Sequence, residues 1–335
     1  MKASLLNVLQ AFGAFAPFRF ANRDKALILT YHRFGELRDG VKTSARAFAR
    51  QLDYLASHYR VVSLSALADL MRSGRELPPR VAALTIDDGY LDAYEIAFPI
   101  LRRYGVPATI FLVTGFVDRK CWLWTDKLRF LTLTTRATKL EVSLGGEQLR
   151  FSLTGRSSRL KAATELNARL KALPDESKEE AIDRIAASLR VHPPELPPHE
   201  YCPINWAQAR EMESGGFEIG SHTVSHPILT KVSEPVLQTE LNESKARLEA
   251  ELGHAVKLFC YPNGNYDTRV RHAVEEAGYR CAMTVEPGLN DSLSDTLALK
   301  RVHTEQDLAR FAQVTSGFEQ VKNRLRLAHA KTASF

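Results

Sequence analysis

The chain has 335 residues, 44% of them hydrophobic and 25% charged, with 45 Lys and Arg against 39 Asp and Glu for a net charge of +6. This composition excludes a disordered or low-complexity chain and supplies enough apolar residues for one large domain or two ordinary ones. A basic excess of six suits an anionic glycan, an anionic membrane face or nucleic acid and selects none of them.

The N-terminus reads "MKASLLNVLQAFGAFAPFRFANRDK". Asn7, Gln10, Pro17 and Arg19 break its apolar run, so it is a poor membrane span, and Lys2 with "AFA" at 14–16 resembles a signal peptide only weakly. Leu5, Val8, Leu9 and Phe12 recur at helical spacing ahead of Arg19, Arg23 and Lys25. Residues 1–24 are therefore expected to form a basic amphipathic arm, which either lies on an anionic membrane surface or packs as a helix on the domain itself.

Strand-like and helix-like runs then alternate. "ALILTYH" from Ala26 reads as a strand, and "SARAFARQLDYLASHY" behind a Ser44 cap as a helix. A short helix around "SALADLMRSG" ends at Gly74. The strand "VAALTID", a helix over 91–104 stopped by Gly105, and the strand "PATIFLV" follow. Repeated strand–helix units with continuously apolar strands indicate a parallel sheet covered by helices. From 118 to 201 the rhythm changes to "CWLWTDKLRFLTL", a hairpin-like "LEVSLGGEQLRFSL", charged helical stretches and the proline-rich "HPPELPPHEY". That region is too helix-rich for a loop and reads as an insertion within a domain spanning 25–330. Afterwards come a helix over 205–214, "FEIGSH", the helix "SEPVLQTELNESKARLEAELG", "VKLFCYP", the helix "DTRVRHAVEEAG", the strands "RCAMTV" and "ALKRVH", and a basic C-terminal helix.

The α/β pattern fits an open doubly wound sheet or a parallel barrel, and in both the active groups gather at the C-terminal ends of the strands. Tyr31-His32, Asp87-Asp88, Ser221-His222, Tyr261-Pro262-Asn263 and Arg301-Val302-His303 all end strand-like runs. Asp87 and Asp88 repel each other unless a cation, a proton or solvent separates them. His222 and His226, four apart in "GSHTVSHP", can aim two imidazoles at one point. Two histidines and one carboxylate make a three-ligand site of the kind that holds a catalytic zinc, leaving the second carboxylate as a base and giving a hydrolase. Gly89 frees the backbone for the turn that presents both acids. The four cysteines (Cys121, Cys202, Cys260, Cys281) contain no CxxC pair and read as free core residues of a reducing compartment, with a Cys121–Cys202 bridge open in an oxidising one.

Taken together, "TIDDG" and "SHTVSH" resemble the first two motifs of the polysaccharide deacetylases, the NodB-homology group related to carbohydrate esterase family 4. "LTYHRFG" and "FCYPNG" are similar to the branch that acts on bacterial exopolysaccharides. The resemblance covers residues 27–302, interrupted by 118–201. It implies a distorted parallel (β/α)7 barrel and metal-dependent removal of N-acetyl groups from a glycan. By match, Asp87 is the general base, and Asp88, His222 and His226 hold a divalent metal, most commonly zinc. A backbone N–H near Tyr261 and the metal would stabilise the oxyanion, and Tyr261, Pro262, Asn263 and His32 would line the substrate site. Where the third motif usually has an arginine that steadies the base, this chain has Cys260; Arg301 on a neighbouring strand is the candidate replacement. His303, in "LKRVHTEQD", is the candidate general acid. Trp122 and Trp124 are assigned to packing within the insertion, with stacking on sugar rings as the alternative.

Two other functions compete with the N-deacetylase. Cys260 is the sole support for a catalytically impaired glycan-binding protein on the same fold. A magnesium-dependent phosphoryl-transfer enzyme is disfavoured by the histidine pair, because magnesium prefers oxygen ligands. No nucleic-acid module or basic stripe is present, and no protein partner is expected. The expected location is cytoplasmic, docked on the inner membrane through the arm, where a lipid-linked oligosaccharide would be available; a periplasmic form is the alternative.

Overall fold

The computed structural model describes residues 2–36 and 42–322. Among these the strands are β1 (Leu27–Tyr31), β2 (Arg60–Val61), β3 (Val81–Ile86), β4 (Ala108–Leu112), β5 (Lys139–Leu144), β6 (Glu147–Ser152), β7 (Phe217–Ser221), β8 (Leu258–Cys260), β9 (Cys281–Pro287) and β10 (Leu299–His303). Seven of them pair in parallel in the order β1-β10-β9-β8-β7-β4-β3, and β3 returns to β1, closing a barrel surrounded by helices. The short β2 pairs with the start of β3 at Val81 and Ala82, whereas β4 pairs with its end at Thr85 and Ile86. β3 and β4 therefore splay apart at the bottom, which is where the barrel is distorted.

Side-chain alternation along the strands sorts the apolar residues into two layers. Leu27, Leu29, Tyr31, Leu84, Ile86, Ile110, Phe259, Tyr261 and Val302 belong to the large core between barrel and helices. Ile28, Ala83, Phe111, Leu258, Cys260, Met283 and Leu299 fill the inside. Leu64, Leu67 and Met71 from the helix Leu64–Arg72 join the inner group. Glu218 of β7 accepts hydrogen bonds from the Leu64 N–H and the Thr109 hydroxyl, both at 2.9 Å, tying that helix to the barrel.

The helix over 91–104 is not uniform: a π-helical turn over Ala93–Ala97 precedes the α-helix Phe98–Tyr104. Pro99 lacks an N–H and crowds the preceding turn, and the wider turn accommodates it. The hairpin of β5 and β6 turns at Gly145-Gly146, both at positive φ. With the helices Trp124–Thr134, Arg156–Leu170 and Asp175–Leu189 it encloses a separate core that includes Trp124, Leu128, Leu140, Leu166, Ile182 and Ile185. Trp124 is buried there. Trp122 stacks with Tyr201 at 6.0 Å and packs edge-on against Phe130.

All four cysteines are free thiols. The arm forms the helices Lys2–Ala11 and Ala16–Ala21. Phe15 is buried and sets its ring edge-on against Phe318, while the Arg23 carbonyl accepts from the Arg80 N–H at 2.6 Å, so the second half of the arm is docked on the domain. Leu5, Val8, Leu9 and Phe12 face outward, Phe12 with 86% of its surface exposed. No helix among the described residues is long and apolar enough to cross a membrane. The basic C-terminal helix is described as Leu308–Thr315, and the sequence beyond 322 lies outside the described residues.

Candidate active site

The same alternation that fills the barrel with apolar side chains near its base places polar ones inside near its top. Thr85 and Asp87 continue the inward phase of β3, His222 that of β7, and Arg301 and His303 that of β10. Just past β3 the chain turns sharply, with Asp88 at φ +75° and Gly89 at φ +85°. The turn needs glycine for its left-handed conformation, and a Cβ on Gly89 would press on the Leu112 methyl at 2.7 Å. Hydrogen bonds from Leu91 N–H to the Cys202 carbonyl and from Ile204 N–H to the Gly89 carbonyl, both 2.9 Å, clamp the turn to the chain leaving the insertion.

Asp87 is buried against a fully buried arginine. Arg301 donates to both carboxylate oxygens at 2.7 Å, forming a two-pronged ion pair. Its remaining donors go to the Thr284 carbonyl at 2.7 Å, the Thr85 hydroxyl at 3.0 Å and the Cys260 sulfur at 3.2 Å. Burial alone would raise the Asp87 pKa, but Arg301, His32 and His222 together outweigh burial and hold the carboxyl far below the usual range. The guanidinium thus reaches the acid from β10, and the small Cys260 side chain sits beside it on β8.

Asp88 lies on the other side of the turn. Its Oδ1 is 3.5 Å from His222 Nε2 and 3.6 Å from His226 Nε2. Four ligands at about 2.0–2.1 Å around a tetrahedral zinc stand roughly 3.3–3.5 Å apart, so these three atoms are spaced as a ligand set. His222 Nδ1 is 2.7 Å from the Cys260 carbonyl, to which it donates, so Nε2 is the nitrogen that faces Asp88. His226 Nδ1 is buried without a hydrogen-bond partner among the described residues. Burial opposes charge on both imidazoles. Cys260 and Asp88 overcome it at His222 and push its pKa up, while His222 itself adds to the effect at His226, whose pKa falls to about 3. The carboxylate and two imidazoles of this cluster suit a divalent cation, so Asp88, His222 and His226 fit the metal the resemblance implies. The loop between the histidines is held by Glu240, which accepts from the Val224 N–H at 2.7 Å, the Ser225 N–H at 3.0 Å and the Ser225 hydroxyl at 2.5 Å.

His32 Nε2 lies 3.5 Å from Asp87 Oδ2, and the His32 and His303 rings stack at 6.5 Å with 18° between their planes. Both line a cavity of about 870 Å³ that also touches Asp88 and Tyr90. Burial and the neighbouring His32 lower the His303 pKa. The third-motif residues sit differently from expectation. Tyr261 is fully buried on the outward phase it shares with Phe259; its hydroxyl donates to the Leu297 carbonyl at 2.8 Å and its N–H to the Met283 carbonyl at 3.0 Å. Neither group is free for substrate, so the backbone N–H expected near Tyr261 is not that of Tyr261 itself. Pro262 is buried, Asn263 bonds to Asn265, and neither lines the cavity.

Sequence reading missed Thr85, Glu240, Asp126 and Arg33. Thr85 was available, since it stands two residues before Asp87 and must share its face. Glu240 and Asp126 act from distant segments, whereas Arg33 directly follows His32. Asp126, in the insertion, accepts from the Tyr90 hydroxyl at 2.6 Å, while Arg33 stacks over the Tyr90 ring at 3.9 Å and pairs with Asp92 at 2.8 Å.

A parallel seven-stranded barrel carrying an acid pair after β3 and a His-x-x-x-His pair after β7 defines a carbohydrate deacetylase framework, and the chain belongs to the polysaccharide deacetylase family, whose sequence pattern matches residues 74–282. YxkH of Bacillus subtilis (strain 168), a protein assigned to the polysaccharide deacetylases, is 20% identical over 286 residues, covering 85% of this chain and 73% of that one. The poly-beta-1,6-N-acetyl-D-glucosamine N-deacetylase of Escherichia coli (strain K12) is 37% identical over 79 residues, which cover 23% of this chain and only 12% of that enzyme. Among solved structures, the Streptococcus pyogenes deacetylase PplD superimposes with a TM-score of 0.59 at 18% identity, covering 88% of this chain and 98% of that one.

Proposed function

We propose that this enzyme is a metal-dependent N-deacetylase of an amino-sugar polysaccharide or its lipid-linked precursor. The observation that carries the reading is the convergence of Asp88, His222 and His226 beside an Asp87 that is kept ionised. When bound, a zinc-like cation supplies Lewis acidity, polarising the acetyl carbonyl and acidifying a water. Asp87 takes a proton from the attacking water, which adds to the acetamide carbon. The C–N bond then breaks to give acetate, and the sugar amine leaves with a proton. His32, in contact with Asp87, is the group placed to hand that proton on, and His303 reaches the acid only through the stacked pair. A carboxylate held so acidic is a weak base, and it suffices only for a water already made acidic. The E. coli relative, named for an N-deacetylase of a β-1,6-linked glucosamine polymer, supports an exopolysaccharide substrate.

The glycan-binding alternative rested on Cys260, and Arg301 now supplies a guanidinium to the acid from β10. The outward row of Leu5, Val8, Leu9 and Phe12, together with the exposed Phe20 under Arg23 later in the arm, supports an arm that lies on an anionic membrane surface.

Elemental analysis of the purified protein tests the metal centre. Wild type is expected to carry about one zinc-like ion per chain, and His222→Ala to lose it together with acetate release. Asp87→Asn should keep the ion and lose turnover. A wild-type protein that neither contains nor takes up zinc would refute the mechanism.

A further inference from the structure

The cavity above the acid pair is larger than one sugar ring needs. At about 870 Å³ it lies toward the upper end of the roughly 300–1,000 Å³ range of pockets that enclose whole ligands. Its walls have two sources. One is the barrel rim, with His32, Asp88 and His303. The other is the insertion, which contributes Asp126 and Arg129 from the helix Trp124–Thr134 and Asn167 from the helix Arg156–Leu170.

The insertion wall has the chemistry of a binding surface. Asn167 holds a buried side-chain oxygen with no hydrogen-bond partner among the described residues, on the wall of a polar cavity. Such an atom costs free energy unless a ligand or water bonds to it. The Asp126 carboxyl is buried and accepts from the Tyr90 hydroxyl at Oδ2, and a carboxylate with two oxygens has acceptor sites beyond that one bond. Burial raises its pKa to about 6. Tyr90 and Tyr201 add aromatic surface to the same lining. Carboxyl, amide and guanidinium groups lining one cavity with tyrosine side chains suit the hydroxyls of a sugar.

We propose that the insertion forms a second sugar subsite: while the acetylated unit sits at the acid pair, a neighbouring unit of the same glycan binds Asp126 and Asn167. This rests on the deacetylase reading and narrows it to substrates at least two units long. The insertion is then the specificity-determining part of the chain.

The test measures acetate release from N-acetylglucosamine oligomers of one to six units, in β-1,6 and β-1,4 linkage, beside 4-nitrophenyl acetate as a probe of the reaction centre alone. Wild type should gain about tenfold or more in kcat/KM from one unit to three, equivalent to roughly 1.4 kcal/mol. Asn167→Ala and Asp126→Asn should flatten that gain, mainly through KM. Asn167→Ala guards against misfolding, because Asn167 is only partly buried, and melting curves check both variants. Equal turnover of one and three units, an intact gain in both variants, or ester turnover without turnover of any oligomer would each overturn the subsite. Inactivity toward ester and oligomers alike, equal to that of Asp87→Asn, would instead overturn the deacetylase reading and the subsite with it.

Discussion

Replacing Arg301 by Met removes a guanidinium of similar reach from a position with no solvent access. The two bonds to Asp87 are both 2.7 Å and charge-assisted, and bonds of that kind contribute about 1.5–3 kcal/mol each. Losing both forfeits roughly 3–5 kcal/mol, the usual cost of orphaning one member of a buried ion pair. In ionisation terms that is roughly two to four decades at Asp87, at about 1.36 kcal/mol per decade. The direction follows from the balance at the site: burial pushes the carboxyl up and Arg301 is the largest force pulling it down. Without the arginine, the acid limb of the kcat/KM profile should move toward neutral pH. Stability should shift in the matching sense. The native pair stabilises the fold above the ordinary carboxylate pKa of about 3.9 and is lost only as pH falls through the lower folded value. The stability gap between wild type and variant is therefore widest at neutral pH and narrows in acid, where the variant's carboxyl takes up a proton. Acetate release and thermal melting, each measured against pH, report the two effects. Arg301→Lys, which keeps charge but not the fork, should fall between. An acid limb that stays in place in Arg301→Met would refute the idea that this arginine holds the base.

Two further outcomes are expected. Glu240→Gln touches no metal ligand but weakens three bonds to the loop that carries His226; zinc affinity should fall about 10- to 100-fold, as for other residues that orient ligands, and unchanged affinity by calorimetry would count against that role. Leu5→Ser with Phe12→Ser should abolish flotation with vesicles containing anionic lipid and leave the melting temperature nearly unchanged, whereas equal flotation of wild type and variant would count against a membrane role for the arm.

The sequence made the reaction centre legible where chemistry is packed into adjacent residues. Asp87-Asp88-Gly89 and His222-x-x-x-His226 are each local, and the strand ends that carry them follow from the alternation of apolar runs. Seven parallel strands were readable for the same reason. Tyr261 shows where this logic slipped. β8 is only three residues long, too short for its phase to be read by eye, and Tyr261 falls on the outward side with Phe259. Arg301 was named as a candidate because the third motif lacks its arginine, while its partners Thr284 and Cys260, on two other strands, had nothing local to mark them. Glu240 and Asp126 were invisible because the fold brings them in from remote helices, with nothing local to mark them. The π-turn at 93–97 was likewise hidden, since one proline only says that a helix must adjust there.

The insertion's separate hydrophobic core has a further consequence. Its apolar residues pack with one another, and polar ties such as Asp126 to Tyr90 help join it to the barrel. Changes inside that core can reshape the outer wall of the cleft while Arg301 stays held within β10 by bonds to neighbouring strands. Drift in the insertion would then change which polymer is recognised without rebuilding the reaction, and exchanging residues 118–201 between relatives would carry substrate preference along as a cassette.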